Sequence, residues 1–167
     1  MISNNEIPLK KRLIAVGIDY LVIIGFLVIL FALFSIFYLV FLDGVPEYSS
    51  LESQLLATFT SVIPIIFIFT YLESSGKSFG KNKAGLTIHF TRSKGKSALI
   101  RNIIKFLPWQ LGHMGTIHGV YNDFDIWSNI LSIVSVSLLI ILLGMAFFRS
   151  DKRHLGDILA GTQVQLK

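Results

Sequence analysis

From Tyr20 to Leu42 the chain runs for 23 residues without a charge. At 1.5 Å per helical residue that stretch is roughly 34 Å long, enough to cross a bilayer. Two further runs follow: Leu55 to Leu72, with Pro64 in its middle, and Ile130 to Phe148. Only 15% of the residues are charged, against about 25% in a soluble domain. These features describe an integral membrane protein of one compact domain. The first run offers no small-residue cleavage site at Ser35-Ile36-Phe37-Tyr38-Leu39, so it is expected to stay as an anchor. Pro64 removes a backbone donor and predicts a kink. With no Cys in the chain, disulfides, thiolate chemistry and Cys-based metal sites are excluded.

The basic residues set the expected topology. All 15 Lys and Arg fall in three clusters. The first is Lys10, Lys11 and Arg12; the second runs from Lys77 to Lys105; the third is Arg149, Lys152, Arg153 and Lys167. The stretches 43–54 and 119–127 have none and carry Asp43, Glu47, Glu52, Asp123 and Asp125 instead. The positive-inside rule places all three clusters in the cytoplasm, facing anionic lipids. The net charge of +5 is thereby explained by the membrane, and no nucleic-acid partner is expected. Both termini on one side requires an even number of crossings, so residues 97–118 are expected to cross as a fourth segment.

That segment is a poor membrane helix. It contains Arg101, Lys105, Pro108, Gly112, His113 and Gly115. Arg101 and Lys105 are an i, i+4 pair on the polar face of an amphipathic turn. Pro108 and the glycines are expected to break the helix beyond it. Irregular backbone at membrane depth survives only against protein or a wet cavity, so the segment should face the interior. The rival is an interfacial helix that never crosses.

The expected fold is an all-α membrane protein: a four-segment transmembrane bundle, one segment broken and amphipathic, with a small cytoplasmic β element. Helices are expected at about 12–42, 53–73, 97–118 and 127–149. A cytoplasmic loop covers 74–96 and a cytoplasmic C-terminal segment 150–167. Leu86-Thr87-Ile88-His89-Phe90 and Thr162-Gln163-Val164-Gln165-Leu166 both alternate apolar and polar, the period of a half-buried strand. A lone strand has nothing to pair with, so these two should pair with each other.

Asp19 directly precedes the first run. A lone acid in a membrane helix costs about 2.5–3.5 kcal/mol on insertion scales. It is kept where it is paired, hydrated or at work. One reading makes it a proton or cation site; the other makes it half of a structural ion pair. Arg12, two turns upstream, and the Arg101–Lys105 face are its expected basic neighbours, which favours a charged, paired carboxylate at rest. Asp157 is expected either to cap a short turn before Gly161 or to face Arg12 or Arg101.

Gly76-Lys77-Ser78 invites a phosphate-loop reading, but that pattern needs a Gly where Tyr71 stands. The loop is read as a connector whose lysines meet lipid headgroups. His113 and His118 are five apart without a third ligand, so no metal site is expected. Ser128, Ser132, Ser135 and Ser137 are expected to bond backbone or a neighbouring helix. No catalytic constellation stands out, and neither enzymatic activity nor a cofactor is expected.

Taken together, Arg12 with Asp19, Gly76-Lys77-Ser78-Phe79-Gly80-Lys81 with Gly85, Arg101-Asn102, and His154-Leu155-Gly156-Asp157-Ile158-Leu159-Ala160-Gly161-Thr162 resemble the RDD family of membrane proteins. The resemblance runs from residue 8 to 166. One departure is Leu155-Gly156 standing between His154 and Asp157, where the family has adjacent His-Asp. The resemblance implies a bacterial membrane protein suspected of transport, with cation/proton antiport proposed for some relatives. The transport or ion-pair candidates are Arg12, Asp19, Arg101, Lys105 and Asp157. The first expectation is a small transporter of a cation or small solute in the cell (inner) membrane, with a homo-oligomer expected where four helices are too few for a pathway. The alternative is a non-catalytic membrane subunit that regulates, assembles or protects a partner protein.

Overall fold

The structure is a computed structural model and describes residues 7–167. Helix α1 (Leu9–Phe41) starts behind Pro8 and runs 33 residues, about 50 Å. Helix α2 (Ser50–Ala57) begins at a capping box between Ser49 and Glu52. A π-helical turn (Thr58–Val62) joins it to α3 (Ile63–Ser74). The short α4 (Phe79–Lys83) leads into β1 (Leu86–Phe90). Helix α5 (Lys94–Tyr121) is followed by α6 (Ile126–Phe148), the short α7 (Leu155–Ala160) and β2 (Thr162–Leu166). Among the described residues three helical stretches are long and apolar enough to cross a membrane: Leu9–Phe41, Ser50–Lys83 and Ile126–Phe148.

The two alternating segments pair as expected. β1 and β2 are antiparallel, with Ile88 opposite Val164. Their buried side chains join Ile7, Ala15 and Ala84 in a small core under the start of α1. A second core, Ile23, Ile65, Phe69 and Phe106, lies higher between α1, α3 and α5.

Pro64 does disturb its helix, through the π turn just before α3. A wider turn relieves the clash between a proline ring and the carbonyl four residues back. Two hydroxyls also bond backwards there: Thr60 Oγ1 donates to Leu56 O at 2.7 Å and Ser61 Oγ to Ala57 O at 2.6 Å.

The expectation of a broken fourth segment is overturned. α5 is one continuous 28-residue helix that includes Pro108. It is antiparallel to α2 and α3: Asn102 bonds Glu73, Gln110 bonds Thr58, and Tyr121 bonds the carbonyl of Tyr48. It therefore runs from the sheet end of the bundle to the far end. The glycines are contact points rather than breakers. A Cβ on Gly115 would stand 2.8 Å from Ser132 Oγ, and one on Gly112 3.1 Å from Ser135 Oγ. They let α6 approach closely, as small residues do between membrane helices. Three of the α6 serines bond backbone. Ser128 and Ser132 bond their own helix or its cap, and Ser135 reaches Pro108 O on α5 at 2.7 Å.

The polar segment 74–96 is not a plain loop. It holds α4 and β1, and α4 packs on α1.

Candidate functional site: a buried charge cluster at the sheet end

Between the two apolar cores lies a layer of charge. Arg12, Ala15, Asp19 and Ile23 are the buried residues of α1, a stripe at helical spacing facing the bundle. Asp19 sits on that stripe between Ala15 of the lower core and Ile23 of the upper.

Its partners come from the segment that resembles a phosphate loop. Ser78 Oγ donates to Asp19 Oδ2 at 2.6 Å, the Gly80 amide donates to Oδ1 at 2.8 Å, and Lys81 Nζ is 3.4 Å from Oδ2. Ser78 also caps α4, accepting from the Lys81 amide. Gly80 is in the first turn of α4, where amides have no helical partner. The loop thus uses serine, amide and lysine, the donor set suited to a phosphate, on a carboxylate of its own chain. Reading its lysines as surface groups was wrong for Lys81, which is buried.

Glu73 is the hub of the cluster and was missed from the sequence. It is fully buried. Lys81 Nζ lies 2.7 Å from its Oε1, Arg101 Nε 3.0 Å from Oε2, and Lys105 Nζ 3.8 Å from Oε1. Asn102 Nδ2 donates to Oε2 at 3.1 Å. Periodicity was the available signal. Ile65, Phe69 and Glu73 are the buried residues of α3, spaced by four on one face. Lys105 additionally lies over the Phe69 ring, 4.3 Å from its centroid.

Arg101 carries the cluster on to Asp157, with Nη1 bonded to Oδ1. Thr162 Oγ1 donates to the same oxygen at 2.7 Å. Asp157 also closes a capping box by accepting from the His154 amide. The cap and the Arg101 partnership, set out as alternatives from the sequence, are both present. Gly156 lets α7 press onto α5, since a Cβ there would stand 2.9 Å from Arg101 O.

Arg12 does not pair with Asp19. Its Nη1 donates to Ala146 O at 2.9 Å and to Lys152 O at 3.3 Å. Ala146 is in the last turn of α6, where carbonyls lack helical donors and attract cations. Among the described residues, its Nε and Nη2 have no hydrogen-bond partner. The structure thus brings Arg12, Asp19, Arg101, Lys105 and Asp157 to one region, but with Lys81 and Glu73 between them. His113 and His118 go separate ways: His113 stacks on Trp109, and His118 meets Asp125 at 3.1 Å.

His154, left without a role by the two-residue insertion, contacts Asp157 after all, because i and i+3 share a helical face. Its Nδ1 accepts from the Gly156 amide at 3.0 Å, so Nε2 carries the proton and points at Asp157 Oδ2, 3.2 Å away. Burial pushes this imidazole down to about 4. Burial alone would raise the Asp157 carboxyl, but Arg101, His154 and the Thr162 hydroxyl hold it below its ordinary value. The sign of the pH effect follows. Between pH 6.5 and about 4 the unfolded His154 binds a proton that the folded one rejects, so stability falls as pH drops through that window, by about 3 kcal/mol in all. The Asp157 contribution is lost only at lower pH still. Thermal unfolding in detergent from pH 7.5 to 4.5 should show the decline, and His154→Asn should flatten it. An unchanged slope in His154→Asn would assign the decline elsewhere.

A cavity of about 540 Å³ opens beside the cluster, between α1 and the α5–α6 pair. Arg12, Asp19, Lys81, Arg101, Lys105 and Asp157 all line it.

The RDD family model matches residues 8–161. The chain belongs to the RDD family. No curated protein and no solved structure matches it. In this RDD protein Asp19, Lys81, Arg101 and Asp157, all within the segments that carry the resemblance, are joined through Glu73 into one connected chain of ion pairs.

Proposed function

We propose that this RDD protein is a multi-pass, non-enzymatic protein of the bacterial inner membrane that moves a small solute by way of the cavity beside the charge cluster. In this reading four helices cross, and the sheet end and both termini lie in the cytoplasm. The absence of Lys and Arg from 43–54 and 119–127, both at the far end, supports that orientation. The observation that carries the reading is the ion-pair chain itself. Buried ion pairs seldom improve stability over apolar packing, and ionisable groups at membrane depth mark functional sites by default. Here four members of the chain, Asp19, Lys81, Arg101 and Asp157, line a cavity large enough for a ligand.

The loosest contact in the chain is Lys81 to Asp19 at 3.4 Å, against 2.7 Å from Lys81 to Glu73. A cation or proton arriving at Asp19 competes with Lys81, which can fall back on Glu73. This gives cation/proton exchange a concrete starting step, while leaving Glu73 and Asp157 as fixed countercharges. Flux into proteoliposomes tests it. Asp19→Asn should reduce transport about tenfold or more, since it removes the charge that Lys81, Ser78 and Gly80 address. Full transport by Asp19→Asn would remove Asp19 from the mechanism.

The second reading is a non-catalytic membrane subunit that regulates, assembles or protects a partner, or a homo-oligomer. It is favoured by α1, which stands away from the bundle along its far half with Phe31, Leu39 and Phe41 more than 70% exposed. It predicts no flux and a fixed partner on co-purification, with α1-face substitutions mattering more than Asp19→Asn.

A further inference from the structure

The cavity is two-sided in chemistry. Toward the far end its wall is apolar, with Ile24, Leu27, Trp109 and Leu139. Toward the sheet end it is charged, and the charges do not balance. Arg12, Lys81, Arg101, Lys105 and Lys152 line it. Among the described residues they meet three carboxylates, Asp19 and Asp157 in the wall and Glu73 behind Lys81 and Arg101. His154 is neutral at physiological pH.

The surplus sits on the cations that no carboxylate holds closely; Lys152 Nζ bonds the Phe147 carbonyl at 2.6 Å, which leaves Arg12 and Lys105. Among the described residues Arg12 bonds carbonyls alone, through Nη1, and three of its five N–H donors find no partner though the residue is more than nine-tenths buried. Buried donors without acceptors cost about 1–3 kcal/mol each, so Arg12 is primed for an anion. Lys105 is 3.8 Å from its nearest carboxylate and keeps about a quarter of its side chain exposed.

The cavity's setting narrows the ligand. α1 packs closely on α4 and the π turn and meets α5 in the upper core that Ile23 and Phe106 share, so the apolar part lies among helix stretches apolar enough to cross a membrane. The cationic part lies at the helix ends, level with the first turns of α1 and the last turn of α6. An anionic head at the interface with an apolar chain running inward has that same layout. We propose that this cavity binds an anionic phospholipid, its phosphate between Arg12 and Lys105 and an acyl chain along the α1–α5–α6 wall. The proposal rests on reading the cavity as this protein's ligand site and names the occupant.

Native mass spectrometry of the detergent-purified protein tests it. Dioleoyl phosphatidylglycerol, dioleoyl phosphatidylcholine and inorganic phosphate are each titrated separately, and inorganic phosphate is also added in competition with phosphatidylglycerol. Wild type should retain phosphatidylglycerol about tenfold better than phosphatidylcholine, the scale expected of one or two cations near a headgroup. Lys105→Gln and Arg12→Gln should each erase most of that preference without changing phosphatidylcholine uptake. Lys105 is partly exposed, so its variant keeps the test open if Arg12→Gln does not fold. Leu139→Trp, which fills the apolar wall, should lower retention of both lipids. Equal retention of the two lipids by wild type, or an unchanged preference in Lys105→Gln, would overturn the proposal. Inorganic phosphate competing fully with phosphatidylglycerol would also overturn it, leaving the ligand-cavity reading intact with a soluble anion. Binding of none of the three at any concentration would remove both.

Discussion

Glu73→Gln should destabilise the protein by about 3–5 kcal/mol, the cost of removing one partner from a buried ion pair. The substitution keeps the shape and the Asn102 contact, so the loss reports charge. Lys81 and Arg101, both less than a tenth exposed, would be left facing a neutral amide. Lys81 retains Asp19 at 3.4 Å, and Arg101 retains Asp157, so the effect is bounded. Denaturation in mixed detergent gives the measurement. Glu73→Gln combined with Lys81→Met should cost less than the sum of the single changes, because the second removes a charge stranded by the first. Coupling of about 1–3 kcal/mol is the scale for residues in one network. Lys105→Gln should cost under about 1 kcal/mol, since that side chain is partly exposed and its pair is long. Equal losses for Lys81→Met and Lys105→Gln would mean that Glu73 is not the hub.

The overall fold was legible because lipid writes simple rules into sequence. Long uncharged runs located α1, the α2–α3 rod and α6, and the asymmetry of Lys and Arg called for a fourth helix where hydropathy saw none. Hydropathy misjudged α5 for a physical reason. It measures fitness for lipid, whereas α5 packs against α2, α3, α6 and α7. Its glycines, Pro108 and Arg101 meet protein there, and Pro108, itself buried, accepts a bond from Ser135 of α6. The two strands were legible because alternation over five residues has few other causes, and each needed a partner.

The site was half legible. Arg12, Asp19, Arg101, Lys105 and Asp157 stood out as ionisable groups next to apolar sequence. Their pairing did not, because it depends on elements distant in the chain: Asp19 meets residues 78–81, and Arg101 meets residue 157. Glu73 and Lys81 were hidden by the polar residues around them. Segment 73–81 reads as a surface connector by composition, and only α4 folding back onto α1 buries it. The alternation of Ile65, Phe69 and Glu73 on one face was the available clue to Glu73. Lys81 was marked by its place at the end of the Gly76–Lys81 motif, which says nothing of burial.

Gly80→Ala should destabilise the protein by about 4 kcal/mol, a single methyl acting through backbone. A Cβ on Gly80 would stand 2.0 Å from Ala15 O and 2.9 Å from Asp19 Oδ1. The carbonyl belongs to α1 and cannot rotate away, so α4 must lift off α1. Lifting it strains the packing by about 1–3 kcal/mol. It also breaks the Gly80 amide bond to Asp19, a buried charge-assisted bond of about 1.5–3 kcal/mol. Gly25→Ala supplies the contrast, because nothing lies within 4 Å of a Cβ there. It should be neutral or stabilise α1 by up to about 1 kcal/mol. The two variants change the same atoms and differ only in what the methyl meets. Limited trypsin digestion gives a second readout, since a displaced α4 should expose Lys81 to cleavage while Lys83, already exposed, serves as the internal reference. Gly80→Ala behaving like Gly25→Ala in both assays would mean that α4 does not rest on α1, and that Asp19 is held by some other group. A destabilised Gly80→Ala that still folds would be the cleanest way to free Asp19 from its loop with Glu73, Arg101 and Asp157 untouched. Its flux would then separate the carboxylate's role in transport from its role in holding α4 in place.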